Sequence, residues 1–146
     1  MFPLEKEQPL ILVVDHQPEV LAELATVLSG AGYRCRLCTT AEDALAATED
    51  EVPDLIIAEV HLGADSGLEL CERIKLRPAL AEVPVMFLSG TQIPDIIRRS
   101  HAVGGTYYLR KPFDADVLLE LVDKALWMPH LVGSRLRRTP AVPAGT

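Results

Sequence analysis

The run Pro53-Asp54-Leu55-Ile56-Ile57-Ala58-Glu59-Val60-His61-Leu62 constrains this chain most. After a Pro-Asp turn, consecutive apolar residues without polar alternation read as a strand buried on both faces, the pattern of a parallel sheet covered by helices on either side. In open sheets of that kind, ligands gather at the carboxyl ends of the strands. Glu59 stands at such an end and carries the charge that interrupts the apolar run, which makes it a candidate site residue.

The rest of the chain alternates strands and helices. Leu10–Val14 is a second continuous apolar run, ending at Asp15, and a helix entered through Pro18 and Glu19 follows it. Val20, Leu21, Leu24, Val27 and Leu28 recur on that helix at core spacing, and Gly30 and Gly32 stop it. A strand over Tyr33–Cys38 leads to a helix from Ala41 to Asp50, with Thr40 as N-cap and an acidic first turn. The Leu55–Glu59 strand comes next, then a loop containing Gly63 and Gly67, then a helix to about Leu76 that must end before Pro78. Val85–Leu88 is a further apolar run ending at Ser89-Gly90. Pro94–Val103 reads as a helix, Thr106–Arg110 as a short strand, and a last helix is capped by Asp114, with Val117, Leu118, Leu121, Val122 and Leu126 expected to be buried.

Five strands alternating with five helices predict an α/β fold: a doubly wound, five-stranded parallel sheet of flavodoxin-like (βα)5 type with strand order 2-1-3-4-5. Residues 1–8 read as an N-terminal extension, 9–128 as the domain and 129–146 as a tail or the start of a linker, because periodicity stops there and Gly, Pro and Arg take over.

With 146 residues, 49% hydrophobic and 24% charged, the chain suits one soluble domain. The formal charge is −7, and the arginines at 135, 137 and 138 lie in a stretch without acids, which leaves 11 basic against 21 acidic residues before it, a net of −10. A face that acidic is expected to have no nucleic-acid partner. No run is long enough to span a membrane, the first residues lack the pattern of a secretory signal, and three cysteines cannot all pair, so a cytoplasmic protein without membrane contact is expected. Cys35-Arg36-Leu37-Cys38 has the spacing of a redox or zinc motif, but within a strand positions three apart face opposite sides, and packed thiols are the expectation.

The strand ends now collect Asp15 and His16, Glu59, Ser89 and Lys111 along one edge of the sheet. The blocks Ile11-Leu12-Val13-Val14-Asp15, Asp54-Leu55-Ile56-Ile57, Pro84-Val85-Met86-Phe87-Leu88-Ser89-Gly90 and Tyr108-Leu109-Arg110-Lys111-Pro112-Phe113 occur in an order and spacing that resembles the receiver domain of two-component response regulators, over roughly residues 9–128. The resemblance implies a signalling switch rather than an enzyme. An aspartate after the third strand accepts a phosphoryl group from a kinase histidine, and an acidic pair after the first strand holds the Mg2+ that the transfer requires. It further implies that Ser89 and Lys111 bind phosphoryl oxygens, that Tyr108 is the aromatic that moves on activation, and that the Lys111-Pro112 bond is cis.

Two positions depart from the family pattern. Glu59 stands at the acceptor position, and His16 at the second acid of the pair beside Asp15. Imidazole is a poorer partner for Mg2+ than a carboxylate, so weak or absent Mg2+ binding and no other cofactor are expected. A methylene longer, Glu59 shifts its nucleophilic oxygens by about 1–1.5 Å, a misplacement that can cost around a hundredfold in transfer. The expected function is therefore an atypical receiver, a pseudo-receiver in phosphorelay signalling that acts as a protein-interaction module. Its partner would be a histidine kinase or an output domain, and a homodimer could form through the fourth helix, fifth strand and fifth helix, where Arg98, Arg99 and Arg110 meet Asp116, Glu120 and Asp123. The alternatives are a receiver phosphorylated on Glu59, or a transition-metal site formed by His16, His61, Asp15 and Glu59. A phosphatase or dehalogenase chemistry is disfavoured because no second carboxylate lies two residues after Asp15.

Overall fold

The computed structural model describes residues 8–90, 98–99, 102–103 and 107–127. The elements run in order: β1 (Leu10–Val14), α1 (Pro18–Gly30), β2 (Arg34–Cys38), α2 (Ala41–Asp50), β3 (Leu55–Glu59), β4 (His61–Leu62), β5 (Asp65–Ser66), α3 (Gly67–Lys75), a 3-10 turn (Pro78–Leu80), β6 (Val85–Ser89), β7 (Tyr107–Arg110) and α4 (Ala115–Trp127). Five of the strands form one parallel sheet in the order β2-β1-β3-β6-β7. This is the doubly wound order expected from the sequence. The inner strands β1, β3 and β6 are buried along their whole length, as continuous apolar runs require when helices cover both faces.

The period of two along each strand divides the core. Ile11, Val13, Leu55, Ile57, Met86 and Leu88 point to one face and pack with Leu21, Leu24 and Leu28 of α1 and Leu118, Val122 and Ala125 of α4. Leu12, Val14, Ile56, Ala58, Val85 and Phe87 point to the other and meet α2 and α3. Cys35 joins the first group and Cys38 the second, so the two thiols lie on opposite faces of the sheet, as the strand reading of the CxxC spacing anticipated.

Helix ends follow the cap chemistry. The Thr40 hydroxyl accepts from Asp43 N–H at 3.0 Å, and Asp114 Oδ1 accepts from Asp116 N–H at 2.8 Å. At the sheet edge β2, Arg34 and Arg36 pair with Glu51 and Asp50 at 2.6 and 3.0 Å, charges that discourage a further strand from adding there. Tyr33, just before β2, donates its hydroxyl to Asp123 of α4 and accepts from the Trp127 indole N–H at 2.9 Å. That contact fastens the end of α4 to the start of an edge strand.

Four expectations need correction. Val117 is 43% exposed rather than buried, because the buried stripe of α4 runs through Leu118, Val122 and Ala125, one position on. Val20, Val27, Leu121 and Leu126 are only partly buried beside the core. A strand at Tyr33 is not formed; β2 starts at Arg34. Between β3 and α3 the chain makes an antiparallel hairpin of β4 and β5, where only a loop was expected, with Gly63 turning at φ 68°. Most of the expected Pro94–Val103 helix lies outside the described residues.

Candidate functional site

The carboxyl ends of β1, β3, β6 and β7 bring Asp15, Glu59, Ser89 and Lys111 together. Asp15, Glu59 and Ser89 are buried polar side chains, and Lys111 is largely so, with 14% of its side chain exposed. Burying carboxylates is costly unless each finds partners. Here the partners are present. Lys111 Nζ donates to Asp15 Oδ2 at 2.7 Å and pairs with Glu59 Oε1 at 2.5 Å, so one ammonium bridges both carboxylates. Asp15 Oδ1 accepts the Gln17 main-chain N–H at 2.9 Å, at the start of α1, where the helix dipole favours a negative charge. Glu59 Oε2 accepts the His61 main-chain N–H at 2.9 Å.

Local chain geometry sets up these contacts. The β4–β5 hairpin turns the backbone directly after Glu59, which aims the His61 N–H back at the carboxylate. Gly67 closes the hairpin against the strand end: its N–H donates to Val60 O at 2.7 Å, and a Cβ there would lie 2.0 Å from the Glu59 carbonyl oxygen. Only glycine allows that approach. Lys111 is placed by its own N–H, which donates to Ser89 O at 2.9 Å, and the Lys111-Pro112 peptide is cis, as the family resemblance implied. Burial works against the Lys111 charge, but its hydrogen bonds to the Asp15 and Glu59 carboxylates outweigh it and hold the ammonium above its ordinary lysine range.

His16 is beside the site with Nδ1 3.8 Å from Asp15 Oδ1, and its side chain is 44% exposed. His61 is exposed, and the group it brings to Glu59 is its backbone. Among the described residues no three His, Cys, Asp or Glu side chains cluster to hold a metal, so the ligands of the transition-metal alternative are not assembled. Tyr108 sits on β7 opposite Phe87, partly buried against the α2 and α3 side of the core. Of the acids expected opposite Arg110, Asp123 is engaged by Tyr33 near β2, at the far edge of the sheet from β7. Gln17 was missed by the sequence reading, yet its side-chain oxygen also accepts from Lys111 Nζ, at 3.4 Å. A residue that acts through one amide oxygen and its own backbone leaves no pattern in a single sequence.

The donor set can be tested against Mg2+. A hard divalent ion needs several oxygen ligands in a tight octahedron. The two carboxylates at hand already face an ammonium at 2.7 and 2.5 Å, and the neighbouring position offers an imidazole. The residues as arranged do not fit the ion.

Comparisons with known proteins bear on the fold and the family. The model of the response regulator receiver domain matches residues 11–123. The DNA-binding transcriptional regulator NtrC of Salmonella typhimurium is 28% identical over 120 residues, which are 82% of this chain and 25% of that protein. The phosphate regulon transcriptional regulatory protein PhoB of Pseudomonas aeruginosa is 32% identical over 109 residues, 75% of this chain and 48% of that one. The chain thus spans between a quarter and a half of these relatives. Their names do not bear out the expectation that nucleic acid is no partner, since both are transcriptional regulators. Among solved structures, the chemotaxis response regulator CheY4 of Vibrio cholerae superposes with a TM-score of 0.77 at 25% identity, covering 82% of this chain and 99% of that one. Among the described residues no helix is long and apolar enough to cross a membrane. From the matched span and the shared sheet, the chain belongs to the response regulator receiver domain family of two-component signalling.

Proposed function

We propose that this receiver is a protein-interaction switch module whose site is not phosphorylated in the usual way. The observation that carries this is the state of Glu59. Its buried carboxylate already takes the Lys111 ammonium with one oxygen and the His61 N–H with the other, so the donors at the strand ends are satisfied by the protein's own anion. A nucleophile held this way has its lone pairs directed at fixed donors, and an incoming phosphoryl group would have to displace them. The partner is a signalling protein, either a histidine kinase or an output domain. The exposed Arg98, Arg99 and Arg110, with Asp116 and Glu120 on α4, offer a mixed-charge surface for it or for a second copy.

The test is repair of the site. Asp15, Ser89 and Lys111 retain the types that would orient a phosphoryl group, so Glu59→Asp combined with His16→Asp is expected to gain labelling by radioactive acetyl phosphate in the presence of Mg2+. Glu59→Asp alone is expected to gain little, because the metal pocket stays incomplete, and the two changes are non-additive as for residues acting as a unit. Full labelling of the unmodified protein on Glu59 refutes the proposal. A folded double variant that stays inert assigns the loss to more than these two positions.

A further inference from the structure

We infer that the Lys111 ammonium is the resident cation of this site and excludes Mg2+ from it, with Gln17 as its third acceptor. An ammonium has three protons to place and no lone pair. Lys111 directs them at Asp15 Oδ2 at 2.7 Å, Glu59 Oε1 at 2.5 Å and Gln17 Oε1 at 3.4 Å. The remaining carboxylate oxygens are also used, Asp15 Oδ1 by the Gln17 N–H and Glu59 Oε2 by the His61 N–H, both at 2.9 Å. Both carboxylates between β1 and β3 therefore serve donors of the chain itself. A metal entering there must expel a tethered charge that costs no association entropy to retain, and the neighbouring side chain it meets is an imidazole rather than a carboxylate.

The same geometry brings Gln17 against both partners. It braces Asp15 through its backbone and Lys111 through its side chain, so it couples the start of α1 to the strand ends. This inference rests on the proposed function and deepens it, because it names what keeps the site closed to the ion that phosphoryl transfer needs.

Removal of Lys111 provides the test. Lys111→Met leaves two buried carboxylates facing each other, and its melting temperature is expected to fall by about 5 °C or more. Millimolar Mg2+ or Mn2+ is expected to restore at least half of that loss in the variant, while moving the wild type by less than about 1 °C. A wild type that gains several degrees from Mg2+ overturns the inference. So does a variant that is destabilised yet blind to both ions, since Lys111 is then only an ion-pair partner, and so does a variant as stable as the wild type. Should Lys111→Met not fold, the wild type alone decides. Paramagnetic Mn2+ is expected to leave the amide signals of Gln17 and His61 unbroadened, and selective broadening of those signals refutes the claim. No phosphoryl donor is used, so a wild type that binds Mg2+ without being labelled overturns this inference alone, whereas labelling overturns the proposed function.

Discussion

Glu59 and Tyr33 show how a single buried group is made tolerable by its partners. Tyr33 is the more easily measured. Burial, and then the hydrogen bond to Asp123, push its hydroxyl up from 10.0 to about 12, although the Trp127 indole donating to it pulls the other way. A folded-state value above the unfolded one means that the associated stability is complete below about pH 10 and is lost as pH rises toward 12. Tyr33→Phe is therefore expected to cost about 1–2 kcal/mol near neutral pH. The gap to the wild type should narrow between pH 10 and 12, read from denaturant melts across that range. A gap that stays constant to pH 12 contradicts the assignment. The sequence revealed Tyr33 only as the start of a strand, because its partners lie 90 and 94 residues away on the last helix.

At the scale of elements, the core strands were legible and the connection after β3 was not. Leu10–Val14 is apolar throughout, as are Leu55–Glu59 and Val85–Ser89 up to their last residues, and burial on two faces is what such runs demand. The β4–β5 hairpin has two residues in each strand, too few for a period-two pattern to register, and Gly63 and Gly67 suggested only a loop. Yet this hairpin supplies the His61 N–H to Glu59. For the same reason, the strand-end candidates were legible as residue types, whereas the main-chain donors that hold Asp15 and Glu59 were not. Gly67 is where the element can be tested. A Cβ placed 2.0 Å from the Glu59 carbonyl oxygen meets backbone, which cannot swing aside. Gly67→Ala is expected to destabilise the domain by about 3 kcal/mol or more in urea melts. A change below about 0.5 kcal/mol would mean that the strand end and helix α3 are not so closely apposed.

Across the whole molecule, the sheet order gathers chemistry from residues as distant in sequence as Asp15 and Lys111 into one buried cluster. The fold is that of a receiver. At its strand ends the buried Glu59 carboxylate pairs with the Lys111 ammonium at 2.5 Å. The helix order and sheet order followed from alternation of apolar runs, but the bridging role of Lys111 depended on three strand ends meeting within hydrogen-bond reach, which no local pattern encodes. The central claim, that Glu59 already fills the donors at the strand ends, is tested most directly by following the His61 amide and Lys111 ammonium signals by NMR while acetyl phosphate and Mg2+ are added to the wild-type protein. Neither signal is expected to move, and the protein mass is expected to stay unchanged. A shift of both signals accompanied by a phosphoryl adduct on Glu59 would contradict it.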